Sequence, residues 1–170
     1  MSDTADTPAL RALAAAGIVH AVTVHGPVRS LEEAAAVRGI EPWQVLKTLV
    51  VRRGDGDFLL VLVPGDREIS WPKLRALLGV SRLSMPDKDV ARDATGYERG
   101  TITPFGAAPN PATGEPWPVI ADALILERPG PVSIGGGAHG VAATLEGEAL
   151  VAATRAEVAD VTEPLPPRTQ

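Results

Sequence analysis

Lys47 is the residue whose position in this sequence first suggests chemistry. It lies in the segment "VLKTLVV", where strand alternation places it on one face with Val45, Leu49 and Val51. Burying an ammonium group among apolar side chains without a partner is costly. Two interpretations therefore stay open: the side chain reaches water from the start of a strand, or it lines a pocket and binds an anionic or carbonyl-bearing ligand.

A second candidate is the segment "GYERGTITPFG", in which Gly100 and Pro104 enclose Thr101, Ile102 and Thr103. A glycine lets another group approach the backbone closely, and a proline fixes a bend in the chain. Main-chain amides and carbonyls of this segment could therefore contact a small ligand directly. The alternative is an ordinary turn or bulge at the end of a strand.

Two further features carry weaker signals. The turn "GGGAHG" contains Gly135, Gly136 and Gly140, but it lacks the lysine and hydroxyl of a phosphate-binding loop. Asp122 is an acid within the apolar segment "VIADALIL". It is either a hydrogen-bonded structural carboxylate or a residue of a binding site, and the sequence does not separate the two.

Composition and missing motifs exclude several classes of function. The chain has no cysteine, and its three histidines form no HExxH motif, so we predict no metal site and no cofactor. A net charge of −5 argues against a DNA-binding protein, although Arg52, Arg53 and Arg99 could contact a few phosphates. No signal sequence or long apolar run is present, which predicts a cytoplasmic protein without membrane contact. Lys73 and Lys88 lie in polar helical patterns and are predicted surface charges.

Caps, glycine stops and alternation predict a mixed α+β fold, with a partly closed, barrel-like sheet surrounded by short helices. A capping box of Ser30 and Glu33 marks one helix start. The tail, residues 162–170, is predicted to fray. The predicted helices are 8–16, 30–39, 71–78, 87–95 and 146–154, and the predicted strands are 18–24, 47–52, 57–64, 119–127, 132–135 and 141–145.

Several segments, taken in order, resemble one known family. "EEAAAVRGIEPWQVLKTLVVR", "LVPGDREISWPKLRALLGV", "GYERGTITPFG", "PVIADALIL" and "GGGAHGVAATLEGEAL" are similar to the YbaK/prolyl-tRNA synthetase-associated editing domains. The likeness covers residues 18–162, and it implies one editing domain in residues 1–170. It also implies hydrolysis of the ester that joins a wrong amino acid to tRNA.

The resemblance assigns roles by position. Lys47 matches the functional lysine of the family, and Gly100 to Pro104 match its glycine-x-x-x-proline motif, which implies binding of the amino-acid part by the backbone. Gly135, Gly136 and Gly140 match the late glycine-rich turn. The chain departs from the family pattern in three places. Thr103 stands where serine is common and an insertion at 107–117 follows the motif, and both departures bear on substrate choice. Ala138-His139 replaces an arginine pair, which bears on tRNA contact.

The implied function is that of a free-standing enzyme that deacylates mischarged tRNA, with tRNA(Pro) carrying Ala, Cys, Ser or Thr as the expected substrate. The expected partners are the tRNA acceptor end, in a weak and transient contact, and prolyl-tRNA synthetase. A different class stays open, namely a non-catalytic module that binds aminoacyl-tRNA or aminoacyl-adenosine and docks on a synthetase. The sequence alone does not name the amino acid, the tRNA or the oligomeric state.

Overall fold

The structure, a computed structural model, describes residues 5–167. Within these residues no helix is long and apolar enough to cross a membrane. The predicted helices are confirmed, with ends that differ by at most one residue, and a further short helix follows the strand at Val119. The helices are α1 (Pro8–Ala15), α2 (Leu31–Arg38), α3 (Trp71–Leu78), α4 (Lys88–Thr95), α5 (Leu124–Glu127) and α6 (Gly147–Thr154).

Side-chain caps set the starts of four of these helices. Thr7, Ser30, Ser70 and Asp87 each accept a hydrogen bond from a main-chain N–H in the first turn. The predicted capping box is only half formed. Ser30 Oγ accepts from the N–H of Glu33 at 3.0 Å, but the Glu33 carboxylate accepts from the N–H of Arg29 at 3.1 Å. The carboxylate thus stabilises the chain one residue before the cap.

The strands form three hydrogen-bonded groups, and the predicted mixed α+β fold is confirmed. Their orders are β1-β7-β6, β2-β3-β5-β8 and β4-β9. The second group is mixed, because β2 and β3 are antiparallel while β3, β5 and β8 are parallel. The strands are β1 (Ala21–Val24), β2 (Leu46–Gly54), β3 (Asp57–Pro64), β4 (Arg67–Ile69), β5 (Val119–Asp122), β6 (Val132–Gly135), β7 (Val141–Leu145), β8 (Glu157–Ala159) and β9 (Thr162–Pro164).

Three sequence predictions are wrong in part. The segment 18–24 is predicted as a strand, but β1 begins only at Ala21. The segment 119–127 was predicted as one strand, but the strand ends at Asp122 and α5 follows at once. An apolar run of this length suits either a buried strand or a buried helix, so its composition did not separate the two. The predicted fraying tail begins with β9, which pairs in antiparallel register with β4.

The central strands separate two apolar clusters. Leu60 and Leu62 of β3 face a larger cluster that also contains residues of α1, α4, β6 and β7. Val61 and Val63, which alternate with them, face a smaller cluster closed by Leu74 of α3. Burial of β3 on both faces explains its continuous apolar sequence and makes it the rigid neighbour of β2.

Strand β2 is an outer strand of its group and is held at both ends of its free edge. Val45 forms a parallel bridge with Ser133 of β6, which connects two of the strand groups. At the other end, Arg52 and Ser84 exchange two main-chain hydrogen bonds of 2.7 and 3.1 Å. The edge between these two bridges has no neighbouring strand among residues 5–167.

Candidate functional site

A cavity of about 870 Å³ opens along this free edge of β2. Every residue from Val45 to Val50 lines it, as expected when a strand presents its edge rather than one face. The opposite walls come from the segment around α2, the start of α4, the loop at Gly100 and the late glycine turn. The residues contributed by these walls are Val28, Arg29, Ser30, Leu31, Ala34, Arg38, Met85, Pro86, Asp87, Lys88, Ala91, Arg99, Gly100, Ile102, Gly135 and His139.

The cavity brings together four of the ten predicted catalytic and substrate-binding residues, together with Arg99, and leaves six of the ten outside its lining. Lys47, Gly100, Ile102 and Gly135 line it. The predicted substrate-binding residues outside the lining are Thr101, Thr103, Pro104, Gly136, Gly140 and Asp122.

The residues around Gly100 form a loop held by buried hydrogen bonds. Thr101 Oγ1 donates to the carbonyl of Glu98 at 2.7 Å, and Tyr97 Oη donates to the carbonyl of Phe105 at 2.6 Å. Burial raises the pKa of Tyr97 to about 12. Gly100 itself is exposed with a φ of 88°, a conformation that L side chains rarely adopt. The surrounding bonds therefore present the backbone at Gly100 to the cavity.

Gly135 lies where two main chains meet. A Cβ built there would lie 3.1 Å from the carbonyl oxygens of both Thr101 and Ile102. The glycine thus lets β6 pack against the loop at Gly100, which joins the two glycine-containing motifs of the sequence at one wall. Gly136 and Gly140 instead pack the late turn against the main chains of Val141 and His25.

Asp122 has a structural environment. It is 1% exposed, and its two carboxylate oxygens accept hydrogen bonds from the N–H groups of Leu124 and Val161 at 3.2 and 3.1 Å. These bonds begin α5 and fix the chain before β9. Its position supports the structural alternative rather than the predicted substrate-binding role.

Lys47 is half-buried in the cavity wall. Its Nζ donates a hydrogen bond of 2.5 Å to the carbonyl of Arg67 in β4. An ammonium group has three hydrogens, so two further donor positions remain. Burial lowers the pKa of Lys47, while the charges of Glu68 and Asp66 oppose that shift. A neutral carbonyl thus holds the Lys47 ammonium in position, and nearby carboxylates compensate its charge only in part.

Arg38, which the sequence analysis did not select, is a second such cation. Its guanidinium donates to Ser133 Oγ at 3.1 Å and to His25 Nε2 at 3.4 Å. Burial lowers the pKa of Arg38. As the last residue of α2 it resembles the basic residue that often ends a helix, so the sequence offered no signal for a site role.

The cavity is basic although the chain as a whole is acidic. Among the described residues, five cationic side chains line it, and Asp87 is the one carboxylate in the lining. The Asp87 carboxylate accepts from the N–H of Val90 and so caps α4. Among residues 5–167, none of the five cations has a carboxylate within 4.0 Å. The five are Arg29, Arg38, Lys47, Lys88 and Arg99.

Two predictions about basic residues change. Arg52 and Arg53, proposed as phosphate contacts, lie outside the cavity and pair with Asp55 and Asp57 in the β2–β3 hairpin. Lys88, predicted as a surface charge, is exposed but lies in the cavity lining. The acids that pair with Arg52 and Arg53 are close to them in the sequence, so this pairing could have been predicted. The approach of α4 to β2 joins distant segments, so no pattern in the sequence indicated that Lys88 lies at the cavity.

The insertion at 107–117 lies away from the cavity. None of its residues lines the cavity, and Trp117 at its end is buried, with its indole N–H donating to the carbonyl of Ala94 at 2.9 Å. The sequence left open whether this insertion alters the pocket, and in this structure it contributes no residue to the cavity lining. Within residues 5–167, no three or more His, Asp or Glu side chains come together as metal ligands.

Comparison with known proteins points to one kind of protein. A family model for the aminoacyl-tRNA editing domain matches residues 25–153. The proline--tRNA ligases of Thermosipho melanesiensis and Bacillus licheniformis are 38% and 36% identical to this chain over 84 residues. These matches cover 49% of this chain but only 15% and 14% of the ligases, so the likeness concerns a small part of those enzymes.

Solved structures extend the likeness over nearly the whole chain. The crystal structure of a proposed trans-editing enzyme for prolyl-tRNA synthetase superimposes with a TM-score of 0.80 at 28% sequence identity, covering 94% of this chain and 99% of that one. The hypothetical protein APE2540 gives a TM-score of 0.81 at 28% identity and covers 92% and 100%.

Proposed function

Because the chain belongs to the aminoacyl-tRNA editing domain family, we propose that it hydrolyses the ester of a mischarged tRNA and acts in trans. The substrate is tRNA(Pro) that carries a small wrong amino acid: Ala, Cys, Ser or Thr. The similarity to a proposed trans-editing enzyme over 99% of that chain supports this mode of action. Residues 1–170 act as one editing domain, with its core at 18–162.

One observation carries the proposal: five cations line the cavity, and none of them has a carboxylate within 4.0 Å among residues 5–167, although the net charge of the chain is −5. Cations without carboxylate partners attract a ligand anion more strongly than cations whose charge is already matched. The 3′ end of a tRNA offers phosphates to the cavity rim, and its aminoacyl ester then lies at the cavity wall. The low overall basicity fits a weak and transient contact.

Each residue of the site has a role that follows from its chemistry. Lys47 is the candidate catalytic residue, and its free ammonium hydrogens contact the ester region or the phosphate of the terminal adenosine. The backbone at Gly100 and Ile102 holds the amino-acid part, and Gly135 keeps that loop against the wall. Thr101, Thr103 and Pro104 act by shaping this loop, since they lie outside the cavity lining.

The reaction needs positioning more than a strong base. Water attacks the ester carbonyl carbon, and its proton passes to solvent, either directly or through the neighbouring ribose hydroxyl, which gives up its own proton as it accepts this one. The tetrahedral oxyanion collapses, the bond to the ribose oxygen breaks, and that oxygen takes a proton. The products are the free amino acid and uncharged tRNA. An aminoacyl ester is already activated, so donors aimed at the oxyanion supply the main catalytic effect.

Selection among amino acids is by size. A rim built from main chain and apolar side chains, such as Ile102 and Leu46, discriminates one methylene by only about 1 to 3 kcal/mol. Several small amino acids are therefore expected as substrates, with rates that differ by about ten- to a hundredfold. Delivery of the mischarged tRNA by prolyl-tRNA synthetase would compensate for a weak intrinsic affinity.

The deciding experiment measures turnover. Alanyl-, cysteinyl-, seryl- and threonyl-tRNA(Pro) are incubated with the protein at one hundredth of their concentration, and the remaining ester is counted over time. We expect many molecules of at least one substrate to be discharged per protein molecule, and correctly charged prolyl-tRNA to be spared. Protection of the ester in proportion to the protein added would instead identify the non-catalytic binding module.

A further inference from the structure

The free edge of β2 exposes main-chain groups to the cavity in a defined order. Arg52 directs its N–H and C=O away from β3, because it exchanges both hydrogen bonds with Ser84. Main-chain polar groups alternate between the two sides of a strand. The N–H and C=O groups of Thr48 and Val50 therefore also point away from β3, toward the cavity that both residues line.

The pairing of β3 agrees with this assignment. The N–H of Leu60, which lies opposite Val50, donates to the carbonyl of Pro118 on the far side of β3 at 2.8 Å. Pro64, which has no N–H to donate, lies opposite Leu46. The even-numbered positions of β2 thus form the pairs without mutual hydrogen bonds, as the alternation requires.

The two residues that carry these outward groups are buried: Thr48 is 9% exposed and Val50 is 3% exposed. In the described part of the chain, no strand or bridge is registered against either residue on the side away from β3. Thr48 Oγ1 is also buried without a partner. Buried main-chain polar groups are nearly always satisfied, so this cluster points to a ligand.

We propose that the aminoacyl group of the substrate binds this edge as a single residue of an added β-strand. The inference rests on the proposed function and names the element that binds the amino-acid backbone. A residue in an antiparallel pair donates through its nitrogen and accepts through its carbonyl on the same side. The α-ammonium and the ester carbonyl of an aminoacyl group offer the same donor and acceptor, separated by one Cα.

Charge favours this edge over the rest of the cavity. Five cations in the lining repel an α-ammonium, and Asp87, the one carboxylate that the described residues contribute to the lining, is already engaged as a helix cap. The carbonyl of Thr48 or Val50 supplies the acceptor that the ammonium needs. The N–H of the same residue then donates to the ester carbonyl, which polarises the atom that water attacks. The amino-acid side chain is left to face Gly100 and Ile102.

The spacing of the outward groups limits how many of them one ligand can contact, and the charge of the ligand's donor can be tested separately. Thr48 and Val50 lie about 6.6 Å apart along the strand, so a single aminoacyl group engages one of them at a time. An α-hydroxyacyl ester has the same shape but carries a neutral donor in place of the ammonium. It is therefore the matched probe for the proposed contact.

The experiment uses two stable analogues of the full protein's substrate: 3′-alanylamino-adenosine and its lactyl counterpart, both joined through an amide. We expect the alanyl compound to bind at least tenfold more tightly by calorimetry. Replacing Thr48 or Val50 by its α-hydroxy acid removes one N–H from the main chain, and one of these two variants should lose at least tenfold in affinity for the alanyl compound. The α-hydroxy acid at Val51, whose N–H faces β3 and which lies outside the cavity lining, is the control.

The outcomes separate this inference from the proposed function. The α-hydroxy acid variant at Val51 should have a lower melting temperature than the wild type and the same affinity for the alanyl compound. Equal affinity for both analogues, or full affinity in both the Thr48 and the Val50 variants, would overturn the edge inference even if the wild type deacylates tRNA. Tight alanyl-specific binding without any turnover would leave the edge inference standing and overturn the hydrolase.

Discussion

The basic residues of this protein fall into two regions that differ in how their charge is matched. Outside the cavity, six of the ten lysines and arginines in the described part of the chain have a carboxylate within 4.0 Å, as Arg128 has in Asp66 at 2.7 and 2.8 Å. The other four are Arg67, Arg75, Arg82 and Arg155. Inside the cavity, the five cations have none among residues 5–167. The six paired cations are Arg11, Arg52, Arg53, Lys73, Arg92 and Arg128.

The difference has an energetic meaning. A pair such as Arg128 and Asp66 stabilises the fold modestly and leaves little charge for a ligand. A partly buried cation such as Lys47 or Arg38 loses hydration without a carboxylate to offset that loss, and burial lowers the pKa of both. The cavity therefore holds unmatched positive charge at a cost in stability, which a bound anion would recover.

The largest effect is expected from Lys47→Ala. If the ammonium acts on the ester or its phosphate, deacylation should fall by about ten- to a thousandfold, as for the loss of a charged hydrogen bond or an oxyanion donor. Lys47→Arg should recover only part of the rate, because a planar guanidinium directs its donors differently. Single-turnover discharge of mischarged tRNA(Pro) measures both.

The matched control for that experiment is Lys73→Ala. Lys73 lies outside the cavity and pairs with Asp160 at 2.9 Å, so its loss should leave the deacylation rate within about twofold. Full activity in a folded Lys47→Ala protein would remove this lysine from the mechanism. Strong loss in Lys73→Ala would show that any removal of positive charge slows the reaction, and the contrast between the two regions would fail.

A smaller effect is expected on tRNA affinity. Arg38→Gln should weaken binding of uncharged tRNA(Pro) by about tenfold at low salt and make the salt dependence shallower by about one phosphate contact. Arg52→Gln removes the same charge from a paired site outside the cavity and should change neither quantity. Fluorescence anisotropy across a salt series measures both variants, and identical slopes for the two would contradict the distinction.

Stability should respond in the opposite sense. Arg128→Gln should lower the free energy of unfolding by about 0.5 to 1 kcal/mol, because it breaks a two-point contact with Asp66 at the protein surface. Arg38→Gln should lower the free energy of unfolding by less than Arg128→Gln does, or should raise it, because Arg38 has no carboxylate partner among residues 5–167. Thermal melts at pH 7 compare them, and a shift of about 2 to 4 °C per kcal/mol is expected for a chain of this size. A larger loss in Arg38→Gln would refute this ordering.

The same pair predicts a change on the acid side. Burial raises the pKa of Asp66, but the hydrogen bond and charge of Arg128 outweigh it and hold the pKa below its ordinary value. The unfolded carboxylate then binds protons first, so stability from the pair is present above pH 4 and is lost as the pH falls through the folded pKa. The difference in melting temperature between the wild type and Arg128→Gln should therefore vanish once the pH is below the folded pKa of Asp66.

The smallest effect concerns the alkaline side. Burial lowers the pKa of Lys47, so the unfolded state binds this proton more strongly and stability rises with pH between the folded pKa and 10.5. Lys47→Met removes the charged group and should melt at or slightly above the wild type at pH 7. This advantage should shrink as the pH approaches 10.5, and melts in a pH series would expose any opposite trend.

Much of the scaffold could be predicted because its signals are local. The side chains of Ser30, Ser70 and Asp87 cap helices by accepting from main-chain N–H groups three residues later, and Gly39 and Gly79 end helices in the left-handed conformation. The alternation around Lys47 likewise follows from the strand itself. These features depend on residues that are close in the sequence, so they can be predicted without knowing how the rest of the chain folds.

The parts that were missed depend on residues far apart in the sequence. Strand β9 forms because β4 offers a partner about 95 residues earlier, which no local pattern reveals. The basic character of the cavity arises when Arg38, Lys88 and Arg99 converge from three separate segments. Whether a cation has a carboxylate beside it is a property of the fold, so a count of charges could not distinguish Arg52 from Arg38.

The pairing of β4 with β9 has a consequence for how the protein is made. The carbonyl that holds Lys47 belongs to Arg67, whose side chain is in turn held by Thr162 through a hydrogen bond of 3.0 Å across 95 residues of sequence. At ribosomal speeds of about 5 to 20 residues per second, this partner is synthesised roughly 5 to 20 s after Arg67. The nascent chain can thus assemble the β2–β3 hairpin early, while the position of its lysine is completed only when the last strand arrives.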